Sequence, residues 1–223
     1  MRQQEYYHFL SHKDAIDDLK RERIKVSLIN ELNDPFELLP YLRYKEHEKI
    51  KLYQNIHKAV SKKYGLLCFS RTWNEPLLWG HYADTHKGIA IGFEILKDEI
   101  LEVKYGSESK RIKFELTNNP EQNEKLFLGL AKTKYEKWAY EEEYRILIKL
   151  EDCEIDNNKY FIRFDNRLKV KKIVLGCRFD FKKEIKNITK LAKQLHAEII
   201  PTRKGWEDYK IRQCGTKTYC LKN

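Results

Sequence analysis

The sequence lacks the features that mark membrane-spanning and disulfide-bonded proteins. No apolar run approaches the ~18 residues that a spanning helix needs. No signal peptide stands at the start, and the cysteines are odd in number with no CxxC pair. We therefore expect a cytoplasmic protein without a membrane partner, whose thiols stay reduced: Cys68, Cys153, Cys177, Cys214 and Cys220.

Several common catalytic motifs are also missing. The chain has no GxGxxG, no GxxxxGK[ST], no GxSxG and no EF-hand loop. Dinucleotide binding through a Rossmann turn and phosphate hydrolysis by a P-loop are therefore not expected. Internal repeats and low-complexity linkers are absent as well. We predict one domain over residues 1–223, with a motif-bearing core at 1–150 and a strand–helix–strand extension of the same domain at 151–223.

The chain has an excess of positive charge. Its 44 Lys and Arg residues outnumber 34 Asp and Glu, for a formal net charge of +10. This charge favours anionic partners, such as nucleic acid, nucleotides or acidic protein surfaces. The lysines are spread along the chain, however, which is equally typical of a basic protein without such a partner.

Apolar residues are numerous enough for a core, at 41% of the chain, and their spacing predicts an α+β fold. We expect a central mixed or antiparallel sheet in two halves, flanked by helices, because the regular βαβ spacing of a doubly wound fold is missing. Predicted strands cover 6–10, 24–28, 64–70, 88–93, 101–105, 143–150, 170–175, 197–201 and 209–211. Predicted helices cover 13–23, 46–64, 75–83, 123–135 and 184–195.

Three consecutive acids enter the strand at 143–150. Residues two apart on a strand share a face, so Glu141 and Glu143 are expected to project together. Adjacent carboxylates repel and raise at least one pKa unless a cation is near, and Arg145 on the same face is a candidate for that cation. The pair suits acid–base chemistry, but a solvated strand start with an acid paired to Arg145 fits equally well.

The segment from Trp79 to His86 is dense in functional side chains. On a helix, Trp79 and Tyr82 share one face, and a flat ring with a hydroxyl suits stacking on a base or a nicotinamide. They would serve equally as core anchors, with His81 bonded to the backbone. His81, Asp84 and His86 are a candidate zinc set, but no HExxH or CxxC supports one, so no metal ligand is assigned.

Three further segments carry candidate ligand contacts. Asn33–Glu37 has the residues of a polar turn and one apolar side chain, Phe36. We expect this turn either to close over a ligand or to cap the sheet. In the first strand, which contains Tyr7, His8 would reach a phosphate or ribose, or remain a structural residue. Ser70 and Arg71 end a strand, where a hydroxyl and a guanidinium often bind phosphate, although Arg71 equally suits a surface acid.

Together these segments resemble the domain-of-unknown-function family 2971, close to the AbiGi-type phage-resistance proteins. The motifs that carry the resemblance are N-D-P-F-E, C-F-S, W-x-H-Y-A-x-x-H-x-G and W-x-Y-E-x-E-Y-R, at Asn33–Glu37, Cys68–Ser70, Trp79–Gly88 and Trp138–Arg145. The resemblance runs from about Tyr6 to Pro201 and implies a bacterial family without an assigned activity.

The order of the parts is also similar to the ADP-ribosyltransferase superfamily, especially the DarT-like toxins that modify nucleic acid. The shared parts are a Tyr-His first strand, a middle strand leading into a nicotinamide pocket, and a last strand with a catalytic Glu and an acid two residues earlier. The chain departs from that pattern because it has no S-T-S motif and His81 has no certain counterpart.

This resemblance implies an ADP-ribosyltransferase-like toxin or anti-phage effector with NAD as co-substrate. It would cleave the nicotinamide–ribose bond and transfer ADP-ribose to a nucleic-acid or protein acceptor. Glu143 would bond the ribose hydroxyl, and Glu141 would orient or deprotonate the acceptor. The implied NAD-binding residues are Tyr7, His8, Asn33, Ser70, Arg71, Trp79, His81 and Tyr82.

Two alternatives remain open at this stage. AbiGi-type proteins have been described as the antitoxin member of a pair, so a non-catalytic protein that binds a cognate partner on the same scaffold fits the sequence. A metal-dependent nuclease that uses His81, Asp84, His86 and the acids is the second alternative.

Overall fold

The computed structural model describes residues 3–40, 42, 45–107, 117 and 119–215. Its helices are α1 to α5, at His12–Arg21, His47–Val60, Pro76–Tyr82, Pro120–Leu130 and Phe181–Gln194. Its strands are β1 to β13, at Gln3–Leu10, Arg23–Leu28, Tyr64–Ser70, Ile89–Leu96, Leu101–Glu102, Lys104–Gly106, Thr133–Tyr135, Glu143–Lys149, Glu154–Asp156, Lys159–Arg163, Lys169–Leu175, Glu198–Lys204 and Ile211–Gln213.

Most of the strands form one large mixed sheet. Nine of them follow the order β13-β12-β11-β4-β1-β3-β2-β10-β9, and β8 pairs with both β3 and β5. Neighbours in this sheet are antiparallel except β11 and β12, which are parallel. Strands β6 and β7 form a separate parallel pair. The prediction of an α+β fold with a mixed sheet and flanking helices is confirmed. The expected division of the sheet into two halves is wrong for the described residues, whose strands form one sheet of eleven strands and a separate pair.

The sheet brings three distant strands side by side. Tyr7 of β1 lies opposite Ser70 of β3, and Ser70 lies opposite Glu143 of β8. Since all three residues stand in one register, side chains from the start, middle and later part of the chain meet at the same place on the sheet.

Helices cover both faces of the sheet and build its core. Helix α1 begins at Ser11, whose hydroxyl accepts a hydrogen bond from the Asp14 amide and so caps the first turn. Its Ile16 and Leu19 pack against the main core cluster. Each fully buried side chain of this size stabilises the fold by about 1.5–3 kcal/mol. Helix α3 lies in a second cluster, around Trp79.

The expected boundaries fail most clearly near β6 and β7. The helix expected over 123–135 ends at Leu130, and residues 133–135 form β7. The strand expected over 101–105 is split between two sheets, because β5 pairs with β8 whereas β6 pairs with β7. A helical period continues past residue 130 in the sequence, but the backbone of Lys132 to Tyr135 is bonded to β6 instead.

Several further expectations are corrected. The last strand runs from 211 to 213, and Tyr209 is 98% exposed in the preceding turn. Strands β9 and β10 were not foreseen. Cys214 is disulfide-bonded, so the expectation of reduced thiols is wrong for this residue, while Cys68, Cys153 and Cys177 are free. Cys220 lies outside the described residues.

Two other expectations concern the whole chain. The prediction of one domain over residues 1–223 extends beyond the described ranges and stays a prediction. Within those ranges, every helix is too short or too polar to cross a bilayer.

Candidate functional site

A cleft of about 1070 Å³ opens where β1, β3 and β8 meet α1 and α3. Ligand pockets typically enclose about 300–1,000 Å³, so the cleft has room for a dinucleotide. Eight of the ten residues predicted from the sequence line it: Tyr7, His8, Asn33, Ser70, His81, Tyr82, Glu141 and Glu143.

Two carboxylates in the cleft share one ammonium group. Nζ of Lys134 lies 2.6 Å from Oε2 of Glu141 and 3.0 Å from Oε2 of Glu143. All three side chains are at most 6% exposed. The repulsion expected between neighbouring acids is therefore offset by a buried cation that the sequence did not reveal.

A second cation fixes Glu143 and the turn after β2. Nε of Arg145 donates to Oε1 of Glu143 at 2.6 Å, and Nη2 donates to Oε2 at 2.8 Å. Glu37, which also lies 3.1 Å from Lys134, accepts from Nη2 of Arg145 with both oxygens, at 2.8 and 2.9 Å. We call these five side chains, Glu37, Lys134, Glu141, Glu143 and Arg145, the charge cluster.

Glu141 reaches the cleft by a route that strand alternation did not foresee. A 3-10 helix over Glu136–Glu141 ends immediately before β8, so Glu141 is not a strand residue. Glu142 has a left-handed backbone with φ of 43°, which turns the chain between the two acids. The expectation that Glu141 and Glu143 project together is correct, but the strand geometry offered for it is wrong.

The two carboxyl groups are tuned in opposite directions. Burial raises the pKa of Glu141 more than Lys134 and Tyr82 lower it. Burial also opposes ionisation of Glu143, but Arg145 and Lys134 outweigh it and hold the pKa of Glu143 below its usual range. Two neighbouring carboxyl groups whose pKa values are shifted in opposite directions form an arrangement that is often found at sites of acid–base chemistry.

Tyr82 connects Glu141 to the turn after β2. Its hydroxyl donates to Oε1 of Glu141 at 2.7 Å and accepts from Nδ2 of Asn33 at 2.9 Å. Burial and the neighbouring Glu141 carboxylate raise the pKa of Tyr82 well above its ordinary value. Tyr82 therefore stays neutral and acts as a hydrogen-bond donor.

His8 presents a neutral ring to the cleft. Nδ1 lies 2.7 Å from the carbonyl oxygen of Cys68, which can only accept, so we assign the ring proton to Nδ1. Burial lowers the pKa of His8, which favours this neutral form. Nε2 then carries a lone pair that can accept a hydrogen bond from a ligand hydroxyl.

Two predicted ligand contacts lie elsewhere. Trp79 is completely buried, its Nε1 donates to the carbonyl of Trp73 at 2.7 Å, and its ring packs edge-on against Phe9. It is the core anchor that the sequence offered as the alternative. The Arg71 guanidinium donates to the Glu5 carbonyl and does not line the cleft. Both predictions are wrong for the same reason, because each side chain donates its hydrogen bond to a backbone carbonyl of the protein and not to a ligand in the cleft.

The remaining predicted contact residues differ in exposure and in whether their polar atoms already have hydrogen-bond partners in the protein. Tyr7 lines the cleft, but its hydroxyl donates to Oε2 of Glu5 at 3.0 Å. Ser70 is buried and its Oγ accepts from the amide of Thr72 at 3.2 Å. His81 is exposed at the rim of the cleft.

Sequence reasoning missed an aromatic group beside the cleft. The ring of His81 stacks on Tyr140, with centroids 6.4 Å apart and planes inclined by 30°, and meets Trp138 edge-on. Nζ of Lys134 lies 5.0 Å from the Trp138 ring centroid. Trp138 and Tyr140 both belong to the W-x-Y-E motif, which the sequence offers as evidence of the family but not as evidence of an aromatic surface.

Another part of the cleft is lined by lysines from α1 and β10. Lys13, Lys20 and Lys159 line it, and none of them forms an ion pair with another described residue. Asp17, which also lines this part, is already paired with Arg21 and Arg23. The lysines are therefore available to an anionic ligand.

The candidate zinc set does not assemble. Among the described residues no three His, Cys, Asp or Glu side chains are placed to hold a metal ion, and this includes His81, Asp84 and His86. The nuclease alternative therefore loses the ligand set on which it rested.

Comparison with known proteins supports the expected family over part of the chain. The model of a family described as "Protein of unknown function (DUF2971)" matches residues 78–146. This stretch contains Trp79–Gly88 and Trp138–Arg145, two of the four motifs that carry the resemblance, and the family prediction is confirmed there. The motifs at Asn33–Glu37 and Cys68–Ser70 lie outside the matched residues. No curated protein and no solved structure matches the chain.

Proposed function

We propose that this chain is an NAD-consuming ADP-ribosyltransferase-like toxin or anti-phage effector acting in the cytoplasm. The observation that carries the proposal is the convergence of His8, Tyr82, Glu141 and Glu143 on one cleft large enough for NAD. The family match carries no activity, so the proposal depends on the chemistry of the cleft.

The strand arrangement supports an ADP-ribosyltransferase-like fold as part of this proposal. The resemblance links a Tyr-His strand, a middle strand ending in a hydroxyl, and a strand with the catalytic Glu. Strands β1, β3 and β8 carry Tyr7, Ser70 and Glu143, and they are neighbours in the sheet. Residues that a common ligand would have to contact are therefore held on rigid elements.

The charge cluster suits cleavage of the bond between nicotinamide and ribose. The bonding electron pair leaves with nicotinamide, which becomes neutral, while positive charge develops on the ribose. A buried, ionised Glu143 stabilises that charge. Its Oε1 accepts one bond, from Arg145, and so retains a lone pair for a ribose hydroxyl.

Glu141 is placed to complete the transfer. The acceptor nucleophile forms its bond to the ribose carbon and loses a proton. Glu141 takes that proton, a role that fits its raised pKa. Tyr82 and Lys134 hold its two oxygens at 2.7 and 2.6 Å, so the carboxylate is oriented before the ligand arrives.

The rest of the dinucleotide would follow the cleft towards α1. Nε2 of His8 would accept from a ribose hydroxyl, and the aromatic surface of Tyr82 would contact the nicotinamide. Lys13, Lys20 and Lys159 would attract the diphosphate, because no described acid forms an ion pair with them.

One observation favours a second candidate, a protein that binds a ligand or a partner protein without turnover. Each acid of the charge cluster is already ion-paired, and Arg145 is only 1% exposed. Buried acids and cations that neutralise each other are also found in ion-pair networks with a purely structural role. The same cleft would then recognise a nucleotide or a cognate partner but leave it intact.

Release of nicotinamide from labelled NAD, measured with and without nucleic acid or cell lysate, separates the two. We expect Glu143→Gln and Glu141→Gln each to lower the rate about 100-fold or more. Glu142→Gln is the matched control, because Glu142 is exposed between them. Its rate should equal that of the unmodified chain.

Two results would decide against transferase activity. One is the absence of nicotinamide release and of any labelled acceptor. The other is release that Glu143→Gln and Glu142→Gln leave equally unchanged. A shift in the thermal unfolding midpoint with NAD, without product, would instead favour the binding protein.

A further inference from the structure

The turn between β12 and β13 exposes two aromatic rings. Trp206 is 84% exposed and Tyr209 is 98% exposed, the highest values among the large apolar side chains of the described residues. Large apolar side chains seldom stand in water without a binding role when they occur together. The charge cluster does not use either residue.

The turn is held in place, so the rings are presented by a fixed element. The amide of Gly205 donates to the carbonyl of Lys210 at 2.8 Å and closes the turn. Asp208 forms an ion pair with Arg212 across its base. The amide of Ile211 donates to the carbonyl of Asn74 at 2.8 Å, which ties the turn to the segment before α3.

Both rings line a groove of about 570 Å³ together with basic side chains. Arg178, Lys204 and Lys210 line it, and none of them forms an ion pair with another described residue. Of the two acids in the groove, Asp208 is already neutralised by Arg212. The groove therefore combines cations that lack an ion pair among the described residues with exposed aromatic rings, and Nζ of Lys204 lies 6.0 Å from the Trp206 ring centroid.

We propose that this groove binds single-stranded nucleic acid. Unpaired bases would stack on Trp206 and Tyr209, while Arg178, Lys204 and Lys210 contact the phosphates. Aromatic faces interleaved with cations are how proteins bind single strands with little sequence preference. A duplex keeps its bases stacked on each other, so it cannot use the rings. An apolar protein surface would leave three cations without partners.

The groove and the cleft both border α3 and the turn that follows it. Pro76, at the start of α3, lines the groove, whereas Tyr82, at its end, lines the cleft. This seven-residue helix is about 10 Å long, a distance that a few nucleotides of a single strand can span. Binding at the groove does not depend on NAD chemistry. If both proposals hold, the groove would deliver a nucleic-acid acceptor to the cleft.

The test is fluorescence anisotropy with labelled oligothymidylate, oligouridylate and a duplex of equal length, without NAD. We expect both single strands to bind in preference to the duplex, with affinity falling as salt is raised. A stronger response of one single strand would identify DNA or RNA as the natural source. Trp206→Ala with Tyr209→Ala should weaken binding about 10- to 100-fold. Lys204→Gln and Lys210→Gln should each lower the salt dependence.

Leu52→Ala, which truncates an exposed apolar side chain on α2, is the matched control and should bind as the unmodified chain does. Because both rings are exposed, the thermal unfolding midpoint of the double variant should be unchanged. Equal binding by the double variant and the control would overturn the proposal. So would the absence of single-strand binding, or an equal affinity for the duplex. None of these results bears on nicotinamide release.

Discussion

Nη2 of Arg145 donates to both carboxylate oxygens of Glu37, at 2.8 and 2.9 Å, across a separation of 108 residues. This contact joins the Asn33–Glu37 turn to β8, so two motifs that are far apart in sequence form one structural unit. The turn therefore carries part of the site's electrostatics, and its role is larger than capping the sheet.

Loss of Glu37 should destabilise the protein strongly. Glu37→Ala removes a buried acceptor of Nη2 of Arg145 and a contact with Lys134, and removing one partner of a buried pair costs about 3–5 kcal/mol. Glu31→Ala is the control, because Glu31 is 53% exposed and pairs with Lys25 at 3.5 Å. We expect a loss below about 1 kcal/mol for this exposed pair. Urea unfolding measures both, and equal losses would mean that the charge cluster does not stabilise the fold.

Removal of the Tyr82 hydroxyl should alter both stability and pH dependence. Tyr82→Phe leaves Oε1 of Glu141 without its buried donor, which costs about 1–3 kcal/mol. The Tyr82 hydrogen bond lowers the pKa of Glu141, so its loss should raise that pKa further. The limb of the pH–rate profile that reports a deprotonated base should then move to higher pH.

Tyr140→Phe is the control for Tyr82. The Tyr140 hydroxyl makes no hydrogen bond within the described part of the chain, although its ring lies at the same rim. An identical displacement of the profile in both variants would show that Glu141 is not the group that titrates.

Two substitutions of His8 should distinguish the contribution of Nδ1 to stability from the contribution of Nε2 to ligand binding. Asn places an amide donor near the position of Nδ1 and should preserve the bond to Cys68, with a stability change within about 1 kcal/mol. Gln extends to the position of Nε2 and loses that bond, at a cost of about 1–3 kcal/mol. We expect His8→Asn to weaken NAD binding about 10-fold in calorimetry and His8→Gln to weaken it less. The reverse order would assign the ligand contact to Nδ1.

Asp18 should make stability fall as the pH rises. Burial raises the pKa of Asp18 to about 7. The unfolded value is about 3.9, so the folded chain holds this proton more tightly. Its contribution is complete below pH of about 4 and is lost as the pH rises through about 7. The gap corresponds to at most about 4 kcal/mol.

The difference in unfolding free energy between the unmodified chain and Asp18→Asn isolates this contribution. Measured by urea unfolding between pH 4.5 and 8.5, the difference should move in favour of Asn as the pH rises. Asp98→Asn, in the exposed 3-10 helix Lys97–Glu99, is the matched control. A constant difference for Asp18→Asn would show that its proton is not held in the folded state.

Two glycines near α3 should respond in opposite ways to alanine. A Cβ at Gly88 would lie 2.1 Å from the carbonyl oxygen of Leu10 and 2.8 Å from the backbone of Ala83, so Gly88→Ala should not fold. Gly80 is exposed on α3 and a Cβ there meets nothing within 4 Å. Gly80→Ala should raise the thermal midpoint, since alanine favours a helix interior by about 1 kcal/mol. A soluble, cooperatively unfolding Gly88→Ala would contradict the close approach.

The sequence was most informative where local periodicity decides the outcome. It predicted β3 over 64–70 to the residue, because a short apolar run bounded by polar residues has few other solutions. It also placed Arg145 on the same face as Glu143, since strand residues two apart share a side whatever the rest of the chain does.

Tertiary structure decided which groups share the site. Lys134 was expected on a helix, and only its pairing with β6 carries it to within 3.0 Å of two acids. Glu37 joins them across the fold, a contact that no local spacing encodes. Trp79 has the chemistry of a ligand platform but finds a carbonyl partner in the core. Sequence limits what each side chain can do, whereas burial and long-range pairing decide which side chains remain available to a ligand.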